Sequence, residues 1–174
     1  MDLYSFLAPD ALGISLTLAL LAASFAGSFI TIAFGIGGGV MLLAIMASLL
    51  PPAALIPVHG VVQLGSNTGR AAAMFRHIYW PALGWFGVGA LVGVAMGSAL
   101  VVNIPAAFIQ VGVGVFVIWS VAAKPPDWMR RWPVVTGALT SFLTMFFGAT
   151  GPFVATYTRA MKLERHGYVG THAA

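Results

Sequence analysis

Long stretches without any charged residue alternate with short polar connections along this chain. Five of these stretches are long, and two shorter apolar stretches between them each begin with glycines. The long stretches cover residues 12–34, 53–69, 79–102, 105–123 and 133–147, and the short ones cover residues 35–50 and 148–161. A helix needs roughly 20 apolar residues to cross a bilayer core of about 30 Å. The pattern therefore predicts several membrane-spanning helices, with the two short stretches as discontinuous or thin helices.

The composition agrees with lipid as the solvent of this chain. Hydrophobic residues make up 60% of the sequence and charged residues only 7%, whereas soluble domains carry roughly 25% charged residues. Such a chain has too little polar surface to cover a core in water. The expected fold is an all-α integral membrane protein, a multi-span helical bundle in contact with the lipid bilayer.

Several classes of function are not expected from the residue types. The net charge is +4, but the eight Lys and Arg are scattered in ones and twos, so no nucleic acid partner is expected. The absence of cysteine excludes thiolate metal sites and cysteine nucleophiles. His166, His172 and Glu164 make a poor metal site, so no metal or cofactor is expected. Ser66 and His59 lie about 10 Å apart along one helix, too far for a hydrolase pair, and the chain is not expected to be an enzyme.

Basic residues indicate how the chain is oriented, because Lys and Arg near span ends favour the cytoplasmic side. Basic residues occur in the loops around 70–77 and 124–131, which are separated by two spans. Both loops can therefore be cytoplasmic, which predicts an N-terminus outside. If the short stretches also cross the membrane, Lys162 and Arg165 lie inside as well.

The sequence FGIGG at 34–38 resembles FGATG at 147–151, and the same offset of 147 − 34 = 113 residues relates His59 to His172. Coincidence stays an alternative, because the chain has 21 Gly and 12 Phe. The helices that precede the two motifs are predicted to run in opposite directions, which is typical of the inverted repeats of secondary transporters. Residues 1–132 would then form the first transmembrane repeat with its cytoplasmic loop. Residues 133–174 would begin a second, incomplete repeat, so the chain is expected to be a fragment.

A polar stripe runs along the helix predicted from residue 53 onward. At 100° per residue its members fall within an arc of about 100°. They are His59, Gln63, Ser66, Asn67 and Arg70. Polar groups within a span must face protein or a water-filled cavity, so the stripe predicts an aqueous path that Arg70 closes at its inner end. The alternative is that these side chains hold neighbouring helices together and that Arg70 reaches the lipid headgroups.

Glycines open both short stretches and predict a second kind of binding group. Glycine lets the backbone unwind, and the free amides and dipole of a helix that begins there attract anions. Close helix packing is the alternative explanation. The glycine-rich residues assigned to substrate binding are Gly35, Gly37, Gly38 and Gly39 in the first copy, and Gly148, Thr150 and Gly151 in the second. With His172 as the counterpart of His59, two helix N-termini are expected to face a small anionic substrate.

The run from residue 34 to residue 80 resembles the sulfite exporter TauE/SafE family. The resemblance rests on FGIGGG at 34–39, PVHGVVQLGSN at 57–67, Arg70 and HIYW at 77–80, and the second copy departs from it at Thr150 and Pro152. It implies a membrane transporter, a permease or exporter in the bacterial cytoplasmic membrane, for sulfur-containing oxyanions such as sulfite or organosulfonates.

Since His59 can carry a proton near neutral pH, proton-coupled export is a hypothesis. The chain could also assemble as a homo-oligomer. The alternatives left open are a membrane scaffold or assembly subunit and, third, an intramembrane enzyme that uses Ser66.

Overall fold

The computed structural model describes residues 13–101, 105–122, 126–148 and 150–174, and this part of the chain is entirely helical apart from turns and connections. The α-helices are α1 (Gly13–Phe34), α2 (Gly38–Leu49), α3 (Pro52–Ala73), α4 (Trp80–Val101), α5 (Ala106–Ala122), α6 (Pro133–Phe147), α7 (Gly151–Arg159) and α8 (Arg165–Ala173). Two 3-10 helices, Phe75–His77 and Asp127–Arg130, lie in the connections. The all-α prediction is confirmed. The predicted segment ends at Leu12, Val102 and Ala123 lie outside the described residues.

The glycine breaks lie where the sequence places them. Helix α1 ends at Phe34, Gly35 and Gly37 follow with φ of 77° and 104°, and α2 begins at Gly38. Helix α6 ends at Phe147, and Gly148 has a φ of 74°. A side chain at positive φ would clash with the backbone, so glycine is the residue that ends these helices sharply.

Two of the described helices are long and apolar enough to cross a membrane, α1 and residues 80–100 of α4. All five predicted long stretches form helices, but three do not meet this criterion. The polar stripe lowers the hydropathy of α3, and α5 and α6 have 17 and 15 residues. Helix α1 nevertheless exposes 76% of Phe25 and 64% of Phe29. An apolar surface of this kind is stable where lipid covers it.

Helices α4 and α6 pack backbone against backbone. Gly89, Gly93 and Gly97 recur every four residues in α4 and are all buried. A Cβ atom at Gly93 would lie 2.1 Å from the carbonyl oxygen of Ala138 in α6. Only residues without a side chain allow such an approach. The glycine spacing, which is typical of a helix-packing face, is confirmed as one.

Helix α2 lies in the centre of the main apolar core. Leu43 and Met46 of α2 are buried, together with Leu55 of α3 and Val113 of α5. On the other side, α1 approaches α2 closely at Gly27 and Gly38. The short glycine-opened helix is therefore held between three longer ones, which places its N-terminus inside the protein.

The helix bounds recur at the offset of 113 residues. Helix α1 ends at 34 and α6 at 147, α2 begins at 38 and α7 at 151, and α3 begins at 52 and α8 at 165. The positive-φ glycines Gly35 and Gly148 share the same offset. This agreement favours a structural repeat over coincidence. The opposite direction of the two copies across the membrane stays a prediction.

Candidate functional site

A polar cavity of about 210 Å³ lies where the two glycine-broken segments meet. The starts of α2 and α7 form part of its wall, and α3 contributes polar side chains. Its described lining residues are Thr31, Ile36, Gly37, Gly39, Val40, Gln63, Asn67, Arg70, Thr144, Gly148, Thr150, Gly151, Pro152, Val154 and His172. Residues 36 and 172 are far apart in the sequence, so the fold brings the two similar segments to one place.

Nine of the thirteen residues assigned to substrate binding line this cavity. They are Gly37, Gly39, Gln63, Asn67, Arg70, Gly148, Thr150, Gly151 and His172. The polar stripe of α3 faces the protein as expected, while the opposite face exposes 71% of Val61 and 69% of Leu64. Four residues, Gly35, Gly38, His59 and Ser66, lie away from the cavity wall.

The start of α2 presents free backbone amides to the cavity. The first bond of the helix runs from the amide of Met41 to the carbonyl oxygen of Gly37 at 2.9 Å. Gly39 and Val40 precede Met41 and line the cavity, and their amides have no intrahelical carbonyl to bond. Helix α7 offers fewer, because Pro152 has no N–H and the amide of Phe153 donates to the Thr150 carbonyl at 2.9 Å. The start of α2 therefore offers more free amides than that of α7, and free amides at a helix start attract anions.

Arg70 supplies the charge of the cavity. Its side chain is 8% exposed, and its Nη2 donates to Oδ1 of Asn67. Its Nε and Nη1 are buried and have no hydrogen-bond partner in the described part of the chain. No acidic residue is among the described residues that line the cavity. A buried guanidinium without a counter-charge is unstable unless an anion pairs with it, so this geometry favours an anionic ligand.

His59 lies behind the cavity instead of lining an aqueous path. The side chain is fully buried, and its Nε2 donates to the carbonyl oxygen of Gly39 at 3.0 Å. On its other side, a Cβ atom built at Gly148 would lie 3.4 Å from Nδ1 of the ring. His59 therefore lies between the two glycine-rich segments, bonded to the first through Gly39.

The other three residues take part in helix contacts. Ser66 hydrogen-bonds with Ser28 of α1 at 2.8 Å. Gly35 accepts a hydrogen bond from the Tyr168 hydroxyl at 3.3 Å. A Cβ atom at Gly38 would lie 1.7 Å from the carbonyl oxygen of Gly27. For these three positions the structure matches the alternative interpretation, polar links and close packing between helices.

His172 lines the cavity, although its counterpart His59 does not. Its ring stacks on Tyr168 with 5.8 Å between ring centroids. Its Nδ1 is buried without a hydrogen-bond partner in the described part of the chain. The two equivalent histidines therefore occupy different environments, one bound to a backbone carbonyl and one facing the cavity.

Sequence reasoning missed two hydroxyl groups of the cavity, those of Thr31 and Thr144. They lie on α1 and α6, three residues before Phe34 and Phe147. Their numbers differ by 144 − 31 = 113, the offset of the repeat. The signal was therefore present in the sequence, as a third pair of matching positions ahead of the glycine motifs.

The chain matches a known protein family. The family model described as Sulfite exporter TauE/SafE matches residues 19–174, which is most of the chain. No curated protein and no solved structure matches the chain significantly. Since the match includes both glycine breaks, the stripe on α3 and every described residue of the cavity wall, the chain belongs to the sulfite exporter TauE/SafE family of membrane transporters.

Proposed function

We propose that the cavity binds a small sulfur-containing oxyanion, such as sulfite or an organosulfonate, for transport across the bacterial cytoplasmic membrane. The observation that carries this proposal is Arg70, a buried guanidinium in the cavity wall with two nitrogens that lack a hydrogen-bond partner and no acidic residue among the described lining. Oxyanions match the planar fork of a guanidinium through paired hydrogen bonds. The family consists of transporters rather than enzymes, which agrees with a site built for binding.

The size of the cavity suits such an ion. Since a water molecule in the liquid takes up about 30 Å³, a cavity of about 210 Å³ has room for an anion of a few heavy atoms with several waters. The amides at the start of α2 add hydrogen-bond donors to those of Arg70. Donors on two sides favour an ion that carries several oxygens over a halide.

Sulfite efflux from liposomes tests the proposal. Liposomes that contain the protein and are loaded with sulfite are expected to release it faster than protein-free liposomes. Added methanesulfonate is expected to slow the release, because it competes for the same donors. The matched control is Thr68→Ala, an exposed residue of α3 on the face opposite the stripe, which is expected to release sulfite like the wild type. Release at the protein-free rate would contradict the proposal.

We also propose that transport is coupled to protons and that His172 is the proton carrier. It lines the cavity, whereas His59 lies outside the cavity lining and is bound through Nε2 to the backbone of Gly39. His172→Gln is expected to keep exchange of sulfite across the membrane but to lose the acceleration by an imposed pH gradient. The matched control is His77→Gln, because His77 is an exposed histidine beside His166. This variant is expected to keep both the exchange of sulfite and its acceleration by the pH gradient. An unchanged response to the gradient in His172→Gln would remove His172 from coupling.

The proposed topology places the N-terminus outside and the basic loops in the cytoplasm. One contact agrees with the part of this topology that has the end of α1 and Arg165 on the same side. Arg165, expected to be cytoplasmic, donates through Nη2 to the carbonyl oxygens of Ile32 and Ala33 at 3.5 and 3.4 Å. These carbonyls belong to the end of α1, which is expected to point to the cytoplasm. A cation at a helix C-terminus is also favourable electrostatically.

A further inference from the structure

We propose that the cavity selects monoanions over dianions, so that sulfite would enter it as hydrogen sulfite and sulfonates in their ordinary ionised form. This inference rests on the proposed function, that the cavity binds an oxyanion, and adds the charge state that it accepts. It follows from a count of charges and of hydroxyl protons around the cavity.

The charge count gives one positive charge. Arg70 is the permanent charge among the described lining residues, and Gln63 and Asn67 are neutral. His172 lies beside Arg70 with no carboxylate in the described lining to compensate a second positive charge, which favours its neutral form. Arg159 is a second cation near His172, but its side chain is exposed and it is not among the described lining residues, so it is left out of the charge count. A monoanion therefore leaves the cavity neutral, whereas a dianion leaves one uncompensated negative charge in a medium of low dielectric constant.

The hydroxyl protons of the cavity point away from it. Thr31 donates to the carbonyl oxygen of Gly27 at 3.0 Å, and Thr144 donates to that of Thr140 at 2.7 Å. Thr144 and Thr150 share a hydrogen bond. Because the proton of Thr144 is already bound, Thr150 is the donor in this pair. All three hydroxyl oxygens thus offer lone pairs, and not protons, to a ligand.

These lone pairs strengthen the selection by charge. They repel a second negative charge, and they accept a hydrogen bond from an oxyanion that carries a proton. Hydrogen sulfite can place its unprotonated oxygens at Arg70 and its O–H at a threonine. Sulfonates have no O–H, but their carbon substituent takes the place of a charged oxygen. Both are monoanions, and both avoid the repulsion that sulfate or fully ionised sulfite meets.

Methanesulfonate and sulfate are the probes of the first experiment, because both are tetrahedral and of similar size while their charges differ. Their binding to the detergent-solubilised protein is measured by titration calorimetry. Methanesulfonate is expected to bind at least tenfold more tightly than sulfate. Equal binding, or tighter binding of sulfate, would overturn the charge selection and leave the proposed function standing. Failure of every oxyanion to bind would overturn the proposed function as well.

The pH dependence of binding separates the charge of the ligand from that of the protein. Sulfite affinity is expected to rise as the pH falls through the second ionisation of sulfurous acid, in proportion to the fraction of hydrogen sulfite. Methanesulfonate stays a monoanion, so it is expected to bind equally over the same pH range to His172→Gln, which lacks the proposed proton carrier. A parallel rise for methanesulfonate would show that a protein group titrates, and would overturn the inference from sulfite.

A single substitution tests the role of the hydroxyls. Thr144→Val is expected to free the Thr150 proton for the cavity and to lower the preference for methanesulfonate over sulfate several-fold. Thr156→Val is the matched control, since Thr156 donates to the Pro152 carbonyl at 3.0 Å in α7 but does not line the cavity. An unchanged preference in Thr144→Val would overturn the hydroxyl part of the inference. If this variant does not fold, the comparison of methanesulfonate with sulfate and the pH experiment still decide the charge selection.

Discussion

Replacing Arg70 with glutamine is expected to abolish the binding of sulfite and methanesulfonate while leaving the protein folded. Arg70 is the charged side chain of the cavity wall, and its Nε and Nη1 lack a hydrogen-bond partner in the described part of the chain, so we expect them to pair with the anion. Hydrogen bonds to charged groups contribute about 1.5–3 kcal/mol each, so the loss of two corresponds to at least about 100-fold in affinity. Glutamine is of similar polarity and can still contact Asn67. Titration calorimetry on the purified variant measures the effect.

Thermal unfolding in detergent separates this role from that of a structural link. Without ligand, Arg70 is a buried charge with no counter-charge in the described cavity wall, which destabilises the folded state. Arg70→Gln is therefore expected to unfold at the same temperature as the wild type or higher. Arg76→Gln is the matched control, an exposed arginine after the same helix, and is expected to bind normally. A lower unfolding temperature together with intact binding would show that Arg70 holds helices together.

Replacing Gly38 with alanine is expected to give the largest loss of stability. Its Cβ atom would lie 1.7 Å from the carbonyl oxygen of Gly27 and 2.4 Å from the Thr31 hydroxyl. The first of these contacts is with backbone, which cannot rotate away, so α1 and α2 must separate. Overpacking typically costs about 1–3 kcal/mol and occasionally more, and this site is expected at the upper end. The measurement is the unfolding temperature of the variant in detergent.

Gly151→Ala is the matched control, because Gly151 is the first residue of α7 and corresponds to Gly38 at the offset of 113. A Cβ atom there would meet nothing within 4 Å. The control is expected to unfold like the wild type. If Gly38→Ala unfolds normally and instead loses sulfite binding, Gly38 belongs to the binding site and the packing assignment is wrong.

The positions of the glycine breaks could be predicted from the sequence, but the roles of the individual glycines could not. Gly35 and Gly148 end their helices at positive φ, and glycine is the residue type that adopts this conformation freely. Their positions could be predicted because the cause lies within a few residues. The roles of the glycines could not. Gly37 and Gly39 line the cavity and Gly38 between them packs on α1, because neighbours on a helix point in different directions and only the partner helix decides which direction is filled.

His59 shows the same limit for a polar stripe. Helical periodicity places it on one face with Gln63 and Arg70, and that face is directed to the protein interior. Helical periodicity does not predict how deeply each side chain is buried or which group it contacts. The Gly39 carbonyl lies within reach of His59, and this contact turns the ring to the backbone, while Nε and Nη1 of Arg70 stay without a partner in the cavity wall.

By itself the sequence determined that the chain is helical and membrane-embedded, where its helices break, and that two segments 113 residues apart are alike. These properties depend on residue type and local spacing, so they can be read without coordinates. The tertiary structure decided which residues share one cavity. It brought Thr31, Arg70 and Thr144 to a common wall and turned His59 and Ser66 to other partners. Contacts between distant segments depend on how whole helices pack, and packing is a property of the assembled chain.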